Sequence, residues 1–209
     1  MATLIQQVIA NTMPLSELQM LCQPELLPGD TDQTVLAHLK TVIADDRIPE
    51  DILKEMREMG LFGLSVPEEF GGAGLNMTQY ARVVNIMAYA APAYRSIFSI
   101  NVGMFASALK NGATEAQKAE WYPKIAEGRI ACFGLTEPGS GSDSAGLATT
   151  ATPDPDGNGW ILNGTKRYIT NAPEASIFTL MARTDASKKG AAGVSAFIVE
   201  RDTPGLTTA

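Results

Sequence analysis

Histidine is almost missing from this sequence: His38 is the single one among 209 residues. With no second imidazole and no cysteine at ligand spacing, a Ser-His-Asp triad and a histidine-based metal site are both close to excluded. Cysteine is as scarce, since Cys22 and Cys132 stand far apart without metal-type spacing. A bridge between them is conceivable in principle, with a reduced cytoplasmic protein as the better default. No apolar run approaches the roughly 18 residues that span a bilayer. The start, M-A-T-L-I-Q-Q, has neither the positive beginning of a signal peptide nor the Arg-rich character of a transit peptide. A basic excess is absent too: 16 Lys and Arg against 23 Asp and Glu leave a net charge of −7, which argues against nucleic acid as a partner. An anionic ligand then needs local cations or backbone N–H groups, and Lys166, Arg167 and Arg183 are the candidates. A redox step in a chain this poor in catalytic side chains needs a cofactor to carry it.

What is present is an ordinary globular composition, 45% hydrophobic and 19% charged, in a chain long enough to bury a core. Residues 1–30 read as one or two short helices interrupted by Pro14, Pro24, Pro28 and Gly29. Residues 32–44 read as a helix with Val35, Leu36, Leu39, Val42 and Ile43 on one side. Pro49 suits the first turn of the next helix, in which Ile52, Leu53, Met56 and Met59 form a stripe and Gly60 provides a left-handed stop. The Gly-rich connection over 61–75 is not G-x-G-x-x-G and has no strand-then-helix context, so a dinucleotide fingerprint is rejected. Helices follow over 78–90 and 92–110, the second apolar nearly all round and therefore central. Thr114 and Gln117 fit a capping box for a helix through Trp121 and Tyr122, with Pro123 tightening or kinking it. Helices alone occupy residues 1–128.

From residue 130 the period changes to that of strands, over 130–135, 146–152, 159–162, 166–170, 177–184 and 194–200. Strands with no helix between them imply an antiparallel sheet or barrel, so the expected class is α+β: an all-α bundle over 1–128, then an antiparallel β domain over 129–209. Asn163-Gly164 reads as a type I′ hairpin turn joining two of these runs. The loop over 136–144 combines Gly, Ser, Thr and Asp. Its many N–H groups and hydroxyls suit a planar, polar, phosphate-bearing ligand, with an ordinary surface turn as the alternative.

The motif F-G-L-T-E-P-G-S-G-S-D over 133–143, followed by N-G-T-K-R-Y-I-T-N over 163–171, closely resembles the flavin-binding signature of the acyl-CoA dehydrogenase family, in order and in separation. The resemblance runs from about residue 47 to the last residue. It implies an FAD-dependent enzyme that removes the α and β hydrogens of an acyl-CoA thioester, the α proton going to a carboxylate and the β hydrogen leaving as hydride to flavin N5. It further implies an electron-transfer flavoprotein as acceptor and a homo-oligomer, a homotetramer, in the full-length form. Carried over by position, Phe133, Leu135 and Thr136 line the flavin ring, and Gly141 and Ser142 meet cofactor phosphate or the CoA moiety, Ser142 also contacting substrate. Tyr168, Ile169 and Thr170 cover the other side of the ring, Tyr168 standing where the family often has tryptophan. Y-R-S-I-F-S over 94–99 is similar to the glutaryl-CoA dehydrogenase segment that holds a distal carboxylate, which makes Arg95 and Ser99 substrate-binding candidates. Arg95 also reads as a solvated or snorkelling arginine. Because the glutamate of that segment is Ala88 here, the substrate's distal group stays open.

The resemblance also implies a C-terminal helical bundle that supplies the catalytic glutamate, and no residue of this sequence matches that base. The expectation is therefore a fragment or truncated β domain that is inactive alone. A flavin monooxygenase or oxidase on the same fold, and a non-catalytic module without cofactor, are the other readings. No metal site is expected.

Overall fold

The computed structural model describes residues 48–90, 92–157 and 159–208. The readings over 1–30 and 32–44, with Cys22 and His38, lie outside the described residues. The chain divides into two compact units, Met1–Gly128 and Arg129–Ala209.

The described part of the first unit is helical. Helix α1, Glu50–Glu58, follows Pro49, carries Glu50 and Asp51 in its first turn and buries Leu53 and Met56. Those acidic residues meet the positive end of the helix dipole. Gly60 then takes φ 74°, the left-handed stop expected of it. The connection over 61–75 is structural: Leu61, Phe62, Leu64 and Val66 are all buried. Helix α2 is Met77–Ala90. Its start holds a capping box, because Asn76 Oδ1 accepts from the Gln79 N–H and Gln79 Oε1 from the Asn76 N–H, both at 3.0 Å. Thr114 and Gln117 form the expected box at the start of helix α5, Glu115–Ala126, which runs on through Pro123.

The long helix expected over 92–110 is three pieces. Helix α3, Pro92–Ser99, passes into a π-helical segment, Ile100–Phe105, and then into helix α4, Ala106–Gly112. The Ala106 N–H reaches the carbonyl five residues back, on Asn101. The widened turn leaves a carbonyl outside the usual ladder, and Ser65 Oγ donates to Val102 O at 2.8 Å. Phe98, Val102, Phe105 and Leu109 are buried, whereas Met104 is exposed, so the helix is central on one side only.

The second unit is a five-stranded sheet of β1 Ala131–Gly134, β2 Thr150–Pro153, β3 Trp160–Asn163, β4 Ile177–Arg183 and β5 Val194–Glu200. The α-then-β order is as expected, but the sheet is mixed rather than purely antiparallel. β4 pairs antiparallel with β5 over its whole length, and parallel with β1 from Ala131↔Ile177 to Gly134↔Leu180. A parallel pairing needs a long crossover, and here the crossover contains the antiparallel β2–β3 pair.

Two local expectations are corrected. The hairpin closes one strand earlier than Asn163-Gly164, through 154–159, where Asp154 N–H bonds to Gly159 O at 2.9 Å. Gly164 is required for close approach instead: a Cβ there would lie 2.7 Å from Thr149 Cβ. The strand expected over 166–170 does not form, because Tyr168 at φ 58° and Asn171 at φ 69° leave the extended region.

Glycine supplies a test of the helical unit. A Cβ on Gly72 would meet Val66 backbone carbon at 2.6 Å, whereas one on Gly112 meets nothing within 4 Å. Gly72→Ala is expected to destabilise the protein by about 2 kcal/mol or more, and Gly112→Ala to leave it unchanged or up to about 1 kcal/mol more stable. Urea unfolding of both variants checks the contrast, and equal stabilities would refute the packing role.

Candidate functional site

The two glycine- and threonine-bearing motifs meet in the second unit. The Arg167 N–H donates to Thr136 O at 2.8 Å, and Asn171 Nδ2 donates to Ala131 O at 3.1 Å. Bonds at both ends set the stretch over 167–171 alongside 131–136 in the opposite sense. Tyr168, Ile169 and Thr170 are thereby held beside the stretch that carries Phe133, Leu135 and Thr136. Tyr168 is 80% exposed despite its aromatic ring, and Arg167 lies over that ring at 4.7 Å. A non-glycine residue in the left-handed region costs about 1–3 kcal/mol, a strain that collects at sites of function.

Gly141 and Ser142 stand on the same loop as Thr136, farther out and exposed. The loop turns tightly first: Glu137 and Ser140 exchange backbone hydrogen bonds of 2.9 and 3.2 Å, and Ser140 Oγ donates to Asp143 O at 2.5 Å. Among the described residues a Cβ on Gly139 or Gly141 would meet no atom within 4 Å, so packing against them does not explain those glycines.

Sequence reasoning passed over Glu137, the carboxylate at the centre of this region. It is 7% exposed. Lys166 Nζ donates to its Oε1 at 2.7 Å and the Ala148 N–H to its Oε2 at 2.6 Å. The Thr149 N–H donates to Oε1 at 3.0 Å, and the Thr149 hydroxyl binds the same oxygen. Burial alone raises this carboxyl's pKa, but Lys166, the Thr149 hydroxyl and the two N–H groups outweigh it and hold it down at about 2. The sequence offered a faint signal, a charged residue between Thr136 and Pro138 in the apolar-to-loop transition.

Two of the three cations considered for an anionic ligand are committed within the fold. Lys166 serves Glu137, and Arg183 donates to the carbonyls of Ala145 at 2.6 Å, Gly190 at 3.3 Å and Lys188 at 3.4 Å. Arg167 remains exposed. Cys132 is a buried free thiol, and burial pushes it up to about 12 against a smaller opposing influence of Arg201, so it is no nucleophile. Among the described residues no group of His, Cys, Asp and Glu is arranged to hold a metal, and no helix is long and apolar enough to cross a membrane.

Arg95 and Ser99 belong to the helical unit, one turn apart on α3 and half-buried. The residue they share is Tyr80 on α2, which the sequence reading placed only in a core stripe. Burial pushes its hydroxyl's pKa up, offset in part by a hydrogen bond with Ser99 and by the Arg95 charge.

The depressed Glu137 pKa gives a signed expectation. The carboxylate stabilises the folded state fully above its ordinary pKa of 4.5, and that contribution is lost as pH falls toward 2. Relative to the wild type, Glu137→Gln is expected to lose about 3 kcal/mol at neutral pH, with the difference shrinking between those two values. Denaturant unfolding against pH measures it, and a difference constant with pH would refute it.

Likenesses of three kinds, to family models, to a relative and to solved structures, bear on what this site is. Residues 31–129 match the acyl-CoA dehydrogenase N-terminal domain, and residues 132–209 match the acyl-CoA dehydrogenase middle domain. The chain is 40% identical over 164 residues to the mitochondrial short-chain specific acyl-CoA dehydrogenase of Bos taurus, covering 78% of this chain and 39% of that one. A glutaryl-CoA dehydrogenase from Mycobacterium smegmatis in complex with FADH2 superposes with a TM-score of 0.76 at 29% identity, over 99% of this chain and 48% of the other. Butyryl-CoA dehydrogenase from Megasphaera elsdenii gives a TM-score of 0.74 at 29% identity, over 91% and 49%. The chain thus spans about half the length of those solved structures, and less of the bovine enzyme. With both domain families matched in order along it, the chain belongs to the acyl-CoA dehydrogenase family.

Proposed function

We propose that this chain carries the flavin-facing part of an FAD-dependent acyl-CoA dehydrogenase, an enzyme for α,β-dehydrogenation of acyl-CoA thioesters. The observation that carries the reading is the backbone bond from Arg167 to Thr136 O, which puts the two motifs in one place. The residues fit the group. The two motifs carry an exposed aromatic ring at Tyr168, a half-exposed threonine at 136, an exposed one at 170, and glycines at 139 and 141 with open space at the Cβ position. Bound FAD would supply the hydride acceptor.

In this reading Phe133 and Leu135 line one side of the isoalloxazine, and Tyr168 and Ile169 the other. The Thr136 hydroxyl donates toward the pyrimidine edge and Thr170 toward N5, so charge reaching that edge meets donors already in place. Gly141 and Ser142 offer N–H and hydroxyl groups to phosphate or to CoA, with Ser142, Arg95 and Ser99 as the substrate contacts. The α-proton acceptor is assigned to no residue of this chain. An electron-transfer flavoprotein as acceptor, a homotetrameric full-length form and a cytoplasmic location belong to the same reading and rest on the family resemblance and the sequence; the bovine relative is named mitochondrial.

Titration of FAD into the protein tests the reading. A resolved visible flavin band with induced circular dichroism is expected, and the double variant Thr136→Val/Thr170→Val is expected to weaken binding about tenfold. Anaerobic butyryl-CoA should then bleach the band, about 10²–10⁴-fold more slowly than in a longer chain that supplies the base. A protein that acquires no flavin signal would overturn the assignment, and rapid reoxidation in air would transfer it to an oxidase.

A further inference from the structure

We propose that the Glu137–Lys166 pair is a positioning device for the flavin site, locking the Thr136 loop and the Tyr168–Thr170 loop into one register. The proposal rests on the flavin reading above. Three separate stretches converge on this pair: 134–137, 148–149 and 166–167. Lys166 Nζ lies 2.7 Å from Glu137 Oε1 and 3.4 Å from Leu135 O. Its stem passes over Gly134, where a Cβ would sit 3.3 Å from Lys166 Cγ and 2.6 Å from Leu180 Cδ2. One side chain therefore touches the loop before and after Thr136, while the Thr136 carbonyl is held by the next residue, Arg167. The Thr136 side chain takes no part in these bonds, and Tyr168 begins two residues beyond the lysine.

The chemistry of the pair favours a positional role over bulk stabilisation. Its side chains are 10% and 5% exposed. Two charges withdrawn so far from water gain little net stability over apolar residues of the same volume, whereas breaking one partner is costly. What a charged pair adds is direction. A carboxylate that accepts from four donors and an ammonium shared between a carboxylate and a carbonyl admit one arrangement of the three stretches, where an apolar contact would admit several. A site that must present two threonines to one planar ring needs that single arrangement.

The test separates register from stability. Lys166→Met keeps the stem and removes the ammonium. The neutral double variant Glu137→Gln/Lys166→Met removes both charges together and leaves Leu135 O and residue 137 without the lysine donor. Lys124→Met, at a helix lysine paired with Glu120, is the control. FAD is titrated into each protein by flavin fluorescence and visible circular dichroism, alongside thermal melts and amide exchange of the ligand-free proteins. The double variant is expected to melt above Lys166→Met, which leaves a buried carboxylate without its counter-charge, yet to bind FAD about tenfold more weakly than the wild type, with altered visible circular dichroism. Exchange should be faster at the Arg167 amide and unchanged across β4 and β5. Wild-type affinity and an unchanged visible spectrum in the double variant would overturn the positioning role alone, as would loss of protection throughout the sheet. A wild-type protein without any flavin signal would overturn the flavin reading, and this role with it.

Discussion

A carboxylate shut away from water has to be answered by donors, and Glu137 is answered by four of them from two distant stretches of chain. That requirement organises the sheet unit more than any apolar contact does. The donors come from Ala148 and Thr149, just before β2, and from Lys166 beyond β3. Each is drawn toward the end of β1, so the approach to β2 and the loop after β3 are tied to the loop after β1 by one buried group. Gly134 and Gly164 stand beside two of the residues that serve this carboxylate. The first leaves room for Leu180 of β4 and, less tightly, for the Lys166 stem, the second lets the backbone approach Thr149, and neither is needed for a turn.

The helical unit was largely legible because its signals are local. Pro49 and Gly60 bracket α1, and Thr114 with Gln117 opens α5, since caps and stops act within four residues. The Asn76–Gln79 box obeys the same rule with less familiar residues. The π-helical segment was not legible. One extra residue in a turn changes no periodicity that a short apolar window can resolve, and its partner, Ser65, lies 37 positions away. Apolar residues all round did indicate burial, yet Met104 shows that the stripe has an outer side.

In the sheet, the strands were legible and their pairing was not. Four of the runs read from alternation and β-branching lie on strands to within two residues, but which edge each finds depends on residues far away in the chain. Asn163-Gly164 carries the strongest hairpin signal in the sequence, and the fold overrides it. The extended form of 166–170 likewise gives way, because Tyr168 and Asn171 adopt left-handed backbone while the anchors at Arg167 and Asn171 hold that stretch beside β1. The two motifs were recognised from their residues. That they lie side by side is a non-local fact, and Glu137, the residue that joins them, looked like one more polar position in a loop.

A division of labour follows for polar groups in this region. Those that a naive charge count offers to an anionic ligand, Lys166 and Arg183, are consumed by the fold, one on a carboxylate and one on three carbonyls. Those left at or near the surface are hydroxyls, glycine backbone and Arg167. The arrangement matters for a chain of charge −7: attraction of an anion then depends on short-range donors and one guanidinium, since long-range steering opposes it. It also explains why strain sits at Tyr168 and not at Lys166. Lys166 is held where its bonds are best, whereas the left-handed backbone at Tyr168 lies between the anchors at Lys166 and Arg167 on one side and Asn171 on the other, which leave that turn no extended course.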